Sequence, residues 1–416
     1  MAQIDRLDVY FGEELVGSIH DSSPPAFAYS RAWLERASPM ALAAIPLRAG
    51  RDDSAAVQAF FENLLPEGEL RQYVAEQKKA STLFAMLRAV AGDTAGGFVI
   101  LPAGQMPQAA SYEATSWKRL ATLLGRKSAS AFDIKGRGAR ISLAGAQDKT
   151  SIAIFDDGVP RLPAGTAPST HILKPEIHRL DKVWHSAVNE TIIMRTAAGC
   201  GLPTAEVFYE PCTQSCVVKR FDRFPQANGT PGRLIQYDLC QLAATVSERK
   251  YEKEGGPGIA ACAELIRQYS MQPAADLRNY VAWILFNLYA GNNDSHAKNL
   301  SLIVDRDRRV TLAPFYDLMC TRLYPGLSQE FAFSIGGETR PGSVTRDHIA
   351  AMAAQLRMRP QFIVGLAGDL ARKMPDAVAQ ATASLPPLPH GAKLLAGRLR
   401  RFVLTTTAKI AERIAR

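Results

Sequence analysis

The stretch that decides the fold is GNNDSHAKNLSLIVDRDRRVTLAPFYD, which runs from Gly291 to Asp317. An apolar, helix-like run precedes it, and its first residues form a polar loop that contains Asp294 and Asn299. The following SLIV, DRDRR and VTLAP segments are typical of a hairpin. A hairpin returns the chain to the point where it entered, so we expect Asp294, Asn299 and Asp317 to converge.

This grouping is typical of phosphoryl transfer. One aspartate, Asp294, would accept the proton of an attacking hydroxyl, while Asn299 and Asp317 would hold Mg²⁺ on the phosphates. Protein kinases use the same D-x-x-x-x-N spacing and a later metal-binding aspartate. Asp and Asn in loops are also common caps and turn formers. Here, however, they lie between apolar segments, where unpaired polar groups would be costly, which favours the functional interpretation.

A kinase also needs a cation on the phosphates. Lys174 ends the strand-like segment HILK, and Glu190, about one helix later, could orient its ammonium. The turn SLAGAQDKT, from Ser142 to Thr150, has small residues whose N–H groups could bind phosphate. As a generic motif this turn is weak, because it is neither a Walker A sequence nor G-x-G-x-x-G.

The chain has 416 residues, which predicts two or three domains. The pattern divides it into an α+β segment at 1–105, a β-rich segment at 106–235 and a mainly helical segment at 236–416. Within the first segment we predict a strand at Phe27–Trp33 and a helix at Ala55–Gln77. The predicted fold class is therefore α+β, two-lobed and kinase-like, with a β-rich N-terminal part and a helical C-terminal lobe.

Composition narrows the class of protein. Hydrophobic residues make up 47% of the chain and charged residues 21%, which excludes disordered and collagen-like chains. The longest apolar run, Tyr280–Gly291, is too short for a membrane span. No signal peptide is visible, so we expect a cytoplasmic protein without membrane contact.

The net charge and the cysteine content support fewer conclusions about function. The net charge of +9 favours anionic partners, and the basic run after Gly391 fits either a solvated helix face or a surface that faces nucleic acid. The six cysteines imply no disulfide framework. Neither the Cys212–Cys216 spacing nor the histidines every seven residues predicts a structural zinc site.

The sequence resembles the HipA toxins, the serine/threonine kinases of type II toxin–antitoxin pairs, over almost its whole length. The segments that carry this resemblance are ISLAGAQDKTSIAI (Ile141–Ile154), HILKPEI (His171–Ile177), VNE (Val188–Glu190), RFDR (Arg220–Arg223), KYEKEGGPGI (Lys250–Ile259), NNDSHAKNLS (Asn292–Ser301) and LAPFYDL (Leu312–Leu318). Their order and spacing together are highly specific.

The resemblance implies a role for each matched residue, with ATP and Mg²⁺ as cofactors. Asp294 would be the catalytic base, Asn299 and Asp317 the Mg²⁺ ligands, and Ser142 the site of an inactivating autophosphorylation, since a phosphoserine cannot share a pocket with ATP phosphates. The residues implied to bind the nucleotide are Ala144, Gly145, Ala146, Gln147, Asp148, Lys149, Lys174, Lys219, Phe221, His296, Lys298 and Tyr316.

Two positions depart from the family pattern. Asp148 stands where the family typically has glutamate, and this shorter side chain would shift the geometry of the phosphate loop slightly. Lys219 stands in the hinge segment Val218–Phe221, where we expect an acidic residue that contacts adenine. A backbone contact at Lys219 would survive this change, whereas a side-chain contact would not.

The resemblance also implies partners. The substrate would be an aminoacyl-tRNA synthetase. Its phosphorylation would arrest translation and growth, which is the state called persistence. The antitoxin would be a HipB-like helix-turn-helix protein bound to operator DNA. Two alternatives remain open: a metal-dependent phosphohydrolase that uses Asp294, His296 and Asp317, and an inactive DNA-bound corepressor.

Overall fold

The computed structural model describes residues 4–125, 130–139, 145, 147–177, 180 and 182–416. Its strands are β1 (Arg6–Phe11), β2 (Glu14–His20), β3 (Ala26–Tyr29), β4 (Arg51–Asp52), β5 (Phe98–Pro102), β6 (Ser111–Ala114), β7 (Thr150–Ile154), β8 (Pro160–Ala164), β9 (His171–Lys174), β10 (Val207–Glu210), β11 (Ser215–Lys219), β12 (Arg223–Phe224), β13 (Gly232–Arg233), β14 (Ile235–Asp238), β15 (Ser301–Val304) and β16 (Val310–Leu312). Its helices are α1 (Arg31–Leu34), α2 (Ala55–Glu62), α3 (Gly68–Lys78), α4 (Leu83–Val90), α5 (Trp117–Leu124), α6 (Ser186–Gly199), α7 (Leu239–Leu242), α8 (Ile259–Tyr269), α9 (Pro273–Ala290), α10 (Arg346–Gln355), α11 (Pro360–Ala383) and α12 (His390–Ala415). This mixture confirms the predicted α+β class.

The chain divides into two compact units. Unit 1 comprises Met1–Leu173, Arg220–Glu248 and Ile303–Arg308, and unit 2 comprises Lys174–Lys219, Arg249–Leu302 and Arg309–Arg416. Unit 1 contains most of the strands, and unit 2 contains the four longest helices, α6, α9, α11 and α12. The three-segment division made from the sequence stays a prediction.

The first sheet of unit 1 has the order β4-β3-β2-β1-β5, with antiparallel neighbours. One face of it is apolar because β-branched and aliphatic residues recur along β1 and β2. Helix α2 adds aromatic side chains to this core, where Phe61 packs against Phe27 and Phe60 packs against Phe98. The N-terminal part of the chain therefore has a hydrophobic core of its own.

Two elements of unit 1 differ from the sequence prediction. The strand predicted at Phe27–Trp33 ends at Tyr29, because the Ser30 hydroxyl accepts the Trp33 N–H (3.1 Å) and begins α1. The single helix predicted at Ala55–Gln77 is two helices, α2 and α3. Pro66 lies between them and lacks the N–H that a continuous helix requires.

Strands β6 to β9 form the second group of antiparallel pairs in unit 1. Strand β7 pairs with β8 and with β9, and β8 also pairs with β6. Thr150 lies opposite Leu173 in the β7–β9 register. The predicted phosphate loop therefore leads directly into a paired, buried strand.

A buried ionic cluster of five charged residues also lies in unit 1. The Arg220 guanidinium donates to Asp222 at 2.7 Å, and the Arg223 guanidinium donates to Asp93 at 2.8 Å. Arg233 lies 3.4 Å from Asp93. Burial alone would raise the pKa of Asp93, but the three arginines outweigh burial and lower it to about 2. Both carboxylates of the cluster are thus ionised at neutral pH.

Helix α9 forms the core of unit 2. Residues on all sides of it are buried, including Trp283 and Phe286, and it packs against α8, α11 and α12. The helix ends at Gly291, where φ is +75° and where a Cβ atom would lie 2.6 Å from the Phe402 ring. A glycine is therefore needed at the point where the chain leaves α9 for the Asp294 loop.

Helix α6, which carries Glu190, is the second central helix of unit 2. It packs against α11 and α12 and against strands β10 and β11. Among the described residues, no helix combines the length and the apolar composition that a membrane span requires.

Candidate active site

A chain of buried amides fixes the loop that carries Asp294. The Asn287 amide donates to the Trp283 carbonyl (2.8 Å), and the Asn292 amide donates to the Asn287 side-chain oxygen (2.8 Å). The Asn292 oxygen in turn accepts the backbone N–H of Asp294 (3.2 Å). The first two bonds are buried and the third is partly buried, so the position of Asp294 depends directly on the end of helix α9.

The carboxylate of Asp294 is held on one side and open to solvent on the other. The Tyr251 hydroxyl donates a short hydrogen bond to its Oδ1. The buried His296 ring places Nε2 3.8 Å from the same oxygen and meets the Tyr251 ring edge-on. About half of the Asp294 side chain (51%) is exposed, so it can reach a substrate hydroxyl.

Asn299 is fixed against the same loop. Its side-chain amide nitrogen donates to the Asp294 carbonyl (2.9 Å), and its backbone N–H donates to the His296 carbonyl (3.0 Å). Because the nitrogen of the amide is used in this way, its oxygen is the atom that can bind a cation.

The hairpin returns to this loop, as expected from the sequence. The Tyr316 hydroxyl donates to the Lys298 carbonyl (3.0 Å) and lies 2.7 Å from the Ser301 hydroxyl. Tyr316 directly precedes Asp317, so these contacts tie the residue before Asp317 to the segment that contains Asn299. The structure therefore brings the end of the hairpin to the Asp294 loop.

Lys174 is buried between two carboxylates. Its ammonium donates to Glu190 Oε1 at 2.6 Å and to Asp317 Oδ1 at 2.7 Å. The side chains of Lys174 and Glu190 are almost fully buried, whereas that of Asp317 is 39% exposed. The pair Lys174–Glu190 is thus enclosed, and Asp317 is the member of the trio that solvent or a ligand can reach.

The charges of this trio keep Lys174 protonated. Burial alone would lower the pKa of Lys174, but the carboxylates of Asp317 and Glu190 outweigh burial and raise it well above its usual range. Two carboxylates around one ammonium leave the trio with a formal charge of −1, which favours the binding of a cation.

The backbone at Asp317 is in an unusual conformation. Its φ is +58°, in the left-handed region that residues other than glycine seldom adopt. Such backbone strain is concentrated at functional sites. Here it accompanies the 2.7 Å contact with Lys174.

The phosphate-loop residues belong to unit 1, and part of the loop is not described. Ser142, Ala144 and Ala146 lie outside the described residues. Gly145 has φ +104°, and its carbonyl accepts the Glu67 N–H (3.2 Å). Gln147 is half-buried and Lys149 is buried.

Asp148, the residue that departs from the family pattern, caps a short helical turn in unit 1. Its carboxylate accepts the Ser130 hydroxyl (2.6 Å) and the backbone N–H groups of Ala131 (2.7 Å) and Phe132 (3.2 Å). The side chain at this position therefore anchors the base of the loop.

The two predicted hinge residues lie on either side of a unit boundary, with Lys219 in unit 2 and Phe221 in unit 1. The Lys219 ammonium forms a surface ion pair with Glu206 at 2.9 Å, and both side chains are more than half exposed. The Lys219 backbone N–H donates to the Glu206 carbonyl (2.9 Å). Phe221 is half-buried, and in the sequence it stands between Arg220 and Asp222, two residues of the buried ionic cluster.

Tyr251 is a site residue that sequence reasoning missed. It lies 43 positions before Asp294, in the segment KYEKEGGPGI, and no residue pattern links the two. The segment was itself one of those that carry the family resemblance, and this was the one signal that could have pointed to it.

Comparisons with known proteins identify the family of the chain. Residues 141–381 match the HipA-like C-terminal domain, and residues 7–101 match the HipA N-terminal domain. The chain is 36% identical to Y4mE of Sinorhizobium fredii, a candidate kinase, over 79% of this chain and 80% of that protein. It is 28% identical to the serine/threonine-protein kinase toxin HipA of Shewanella oneidensis, over 92% of this chain and 90% of that protein.

A solved structure shows the same fold. The chain matches a chain of the Shewanella oneidensis complex of HipA, HipB and operator DNA with a TM-score of 0.85, 25% sequence identity and 98% coverage of both chains. This likeness confirms the two-lobed α+β class predicted from the sequence. The matched domains span more than half of the sequence, and the chain belongs to the HipA family and is a protein serine/threonine kinase.

Proposed function

We propose that this kinase transfers the γ-phosphoryl group of ATP, with Mg²⁺, to a serine or threonine of a protein substrate. The observation that carries the proposal is the buried Lys174, held by Glu190 and Asp317 within hydrogen-bond distance. A lysine paired with a glutamate and located near a metal-binding aspartate is the arrangement that protein kinases need for catalysis.

Asp294 is proposed as the base. The hydroxyl oxygen of the substrate attacks the γ-phosphorus, the bond from that phosphorus to the bridging oxygen breaks, and ADP leaves. The hydroxyl proton passes to the Asp294 carboxylate, which is exposed and therefore accessible. Tyr251 holds this carboxylate in position through its hydrogen bond.

Asn299 and Asp317 are proposed as the protein ligands of Mg²⁺. Mg²⁺ prefers oxygen ligands and is usually bound by one or two carboxylates together with substrate phosphates, which fits one amide oxygen and one partly exposed carboxylate. The described residues contain no cluster of three or more His, Cys, Asp or Glu that could hold a metal by itself. When bound, Mg²⁺ neutralises charge on the phosphates.

The remaining predicted residues are proposed to bind the nucleotide. Lys174 contacts the phosphates, and the loop Ala144–Lys149 supplies backbone N–H donors to them. His296, Lys298 and Tyr316 are proposed to bind the nucleotide as well, and their own contacts hold them at the Asp294 loop. Phe221 and the backbone at Lys219 contact adenine.

Ser142 is proposed as the autophosphorylation site that switches the kinase off. It precedes the phosphate loop in the sequence, and a phosphate there adds about two negative charges beside the place where ATP phosphates would bind. The support for this role is the match of ISLAGAQDKT to the family pattern.

The proposed partners follow from the family. A HipB-like helix-turn-helix antitoxin would bind the kinase and hold it on operator DNA; the support is the solved complex of HipA with HipB and operator DNA. We propose an aminoacyl-tRNA synthetase as the protein substrate, so that the kinase is the toxin of the pair and acts in the cytoplasm.

The experiment that tests this function is the intact mass of the purified chain after incubation with Mg-ATP, followed by peptide mapping. We expect a gain of one phosphate at Ser142, and no gain in Ser142→Ala. The same Ser142→Ala protein should phosphorylate an added substrate for longer. Accumulation of ADP without any phosphoprotein would instead indicate a phosphohydrolase.

A further inference from the structure

Unit 1 contains a cavity whose described lining includes none of the proposed kinase residues. It has a volume of about 390 Å³ and lies beside the ends of helices α3 and α4 and the segment 135–139. Its volume falls within the range of small-molecule sites, which is about 300–1,000 Å³.

The cavity is lined by cations and by small residues. Lys78, Lys79, Arg88 and Lys135 contribute the four charges, and the other described lining residues are alanines and glycines. No carboxylate lies among the described lining residues. A ligand in this cavity would therefore meet positive charge together with backbone that small side chains leave accessible.

Of the four cations, Lys135 is attracted by a carboxylate of the described residues, that of Asp133, without forming an ion pair with it. None of their side chains takes part in an ion pair or a hydrogen bond with another described residue. The carboxylate nearest in sequence to Lys135, Asp133, accepts the Tyr73 hydroxyl at 2.5 Å. The protein thus offsets the charge of the cavity only in part, through Asp133.

Lys135 is the cation with the least ordinary surroundings. It is half-buried, its ammonium lies 5.0 Å from the centre of the Phe132 ring, and it is on no helix. Burial, and then the charge of Lys78, lower the pKa of Lys135, and the charge of Asp133 offsets this in part. Lys78 and Arg88 lie in the last turns of their helices, where cations are favourable, but this does not account for Lys135.

The segment that carries Lys135 is held in place. A Cβ atom at Gly136 would lie 2.4 Å from the Pro163 carbonyl oxygen, so the segment is pressed against strand β8. The Ala139 N–H donates to the Gly136 carbonyl (3.1 Å) and closes a turn. The cations therefore surround an ordered cavity.

We propose that this cavity is a second ligand site, which binds a small molecule that carries a pyrophosphate or triphosphate group. Four cations that line one cavity match a compact ligand with several negative charges. Binding of single-stranded nucleic acid would instead be expected to use an extended basic groove with aromatic side chains for stacking, and the described lining residues include no aromatic one.

The test measures the binding of inorganic tripolyphosphate by calorimetry, without Mg²⁺, to the full chain and to two double variants of equal charge change. The site variant is Lys135→Gln with Arg88→Gln. The control is Arg398→Gln with Lys409→Gln, two exposed cations of α12. We expect at least tenfold weaker binding to the site variant than to the parent or the control. The proposed ATP site is unchanged in all three proteins.

Thermal unfolding provides a second readout. We expect the site variant to have a Tm close to that of the parent, because the substituted side chains form no ion pair with a described residue, and to lose the rise in Tm that tripolyphosphate causes in the control. The affinities for inorganic pyrophosphate and for a nucleoside triphosphate are then compared. Similar affinities would show that the phosphates alone are recognised, and tighter binding of the nucleoside triphosphate would show that the nucleoside is recognised too. Equal affinity of the site variant and the control for tripolyphosphate would overturn the proposal. A site variant that binds a single-stranded oligonucleotide less tightly than the control does, but binds tripolyphosphate equally well, would also overturn it.

Discussion

Lys174 donates a 2.7 Å hydrogen bond to Asp317, which lies 143 positions later in the chain. This contact joins the end of strand β9 to the residue that follows the β15–β16 hairpin. The ammonium also contacts Glu190, so one buried cation aligns a helix and a catalytic loop. In the proposed mechanism, the two carboxylates and the lysine therefore act together.

Glu190→Gln should reduce phosphoryl transfer while the chain stays folded. Without the Glu190 charge, Lys174 is held by Asp317 alone and competes with Mg²⁺ for that carboxylate. We expect kcat to fall by about 10²-fold. Steady-state kinetics would check this, with Glu206→Gln, a surface glutamate that pairs with Lys219, as the control. A kcat equal to that of the control would show that Glu190 has no role in phosphoryl transfer.

Tyr251→Phe should reduce kcat without changing nucleotide affinity. The hydroxyl donates to Asp294, and a hydrogen bond to a charged group is worth roughly 1.5–3 kcal/mol. Because Asp294 is half exposed, we expect the lower end of that range, a loss of about tenfold in kcat.

The control for Tyr251 is Tyr269→Phe. Tyr269 is half-buried in helix α8, and its hydroxyl has no hydrogen bond to a described residue. Its substitution should leave kcat unchanged. A Tyr251→Phe variant as active as the Tyr269→Phe variant would show that the hydroxyl has no positioning role.

Asp93→Asn should destabilise the fold. The Asp93 carboxylate is fully buried among Arg220, Arg223 and Arg233, and the substitution would leave positive charge uncompensated. Breaking a buried ion pair costs about 3–5 kcal/mol. Urea unfolding would measure this, with Asp369→Asn, a surface pair with Arg372, expected to change stability little.

The same residue predicts a pH dependence. The pKa of Asp93 is lowered to about 2, below its usual value. Its contribution to stability is therefore present above the usual aspartate pKa of about 3.9 and is lost as the pH falls towards 2. Unfolding curves between pH 2 and 5 should show this loss in the parent and a smaller loss in Asp93→Asn. Parallel curves for the two proteins would contradict this assignment.

Lys219→Ala should leave the KM for ATP nearly unchanged. The ammonium is engaged by Glu206 on the surface, so it does not serve adenine in this structure. We expect a change of less than about twofold, because exposed ion pairs contribute little. A large rise in KM would mean that the side chain contacts the nucleotide.

The sequence was informative where function and fold depend on neighbouring residues. Asp294, Asn299 and Asp317 lie within one loop–hairpin segment, so their order alone predicted that the chain would bring them close. The helix α9 before them was visible as an apolar run, and its end at Gly291 was marked by the following asparagines.

The sequence was less informative where side chains from distant segments meet. Tyr251 reaches Asp294 from another segment, and the cavity of unit 1 joins Lys78 to Lys135, which no local pattern connects. The strand predicted at Phe27–Trp33 was wrong in its second half, because the hydroxyl of Ser30 caps a helix there. The effect of such a local hydrogen bond is hard to foresee from hydrophobicity alone.

The central claim, that Asp294 is the base of an ATP-dependent protein kinase, is tested most directly by Asp294→Asn. The rate of phosphate incorporation from Mg-ATP is measured beside the affinity for ATP, in the variant and in the parent. We expect phosphoryl transfer to fall by about 10²–10⁴-fold with nucleotide affinity retained, because the base acts only on the attacking hydroxyl. Equal phosphate incorporation by the two proteins would contradict the account.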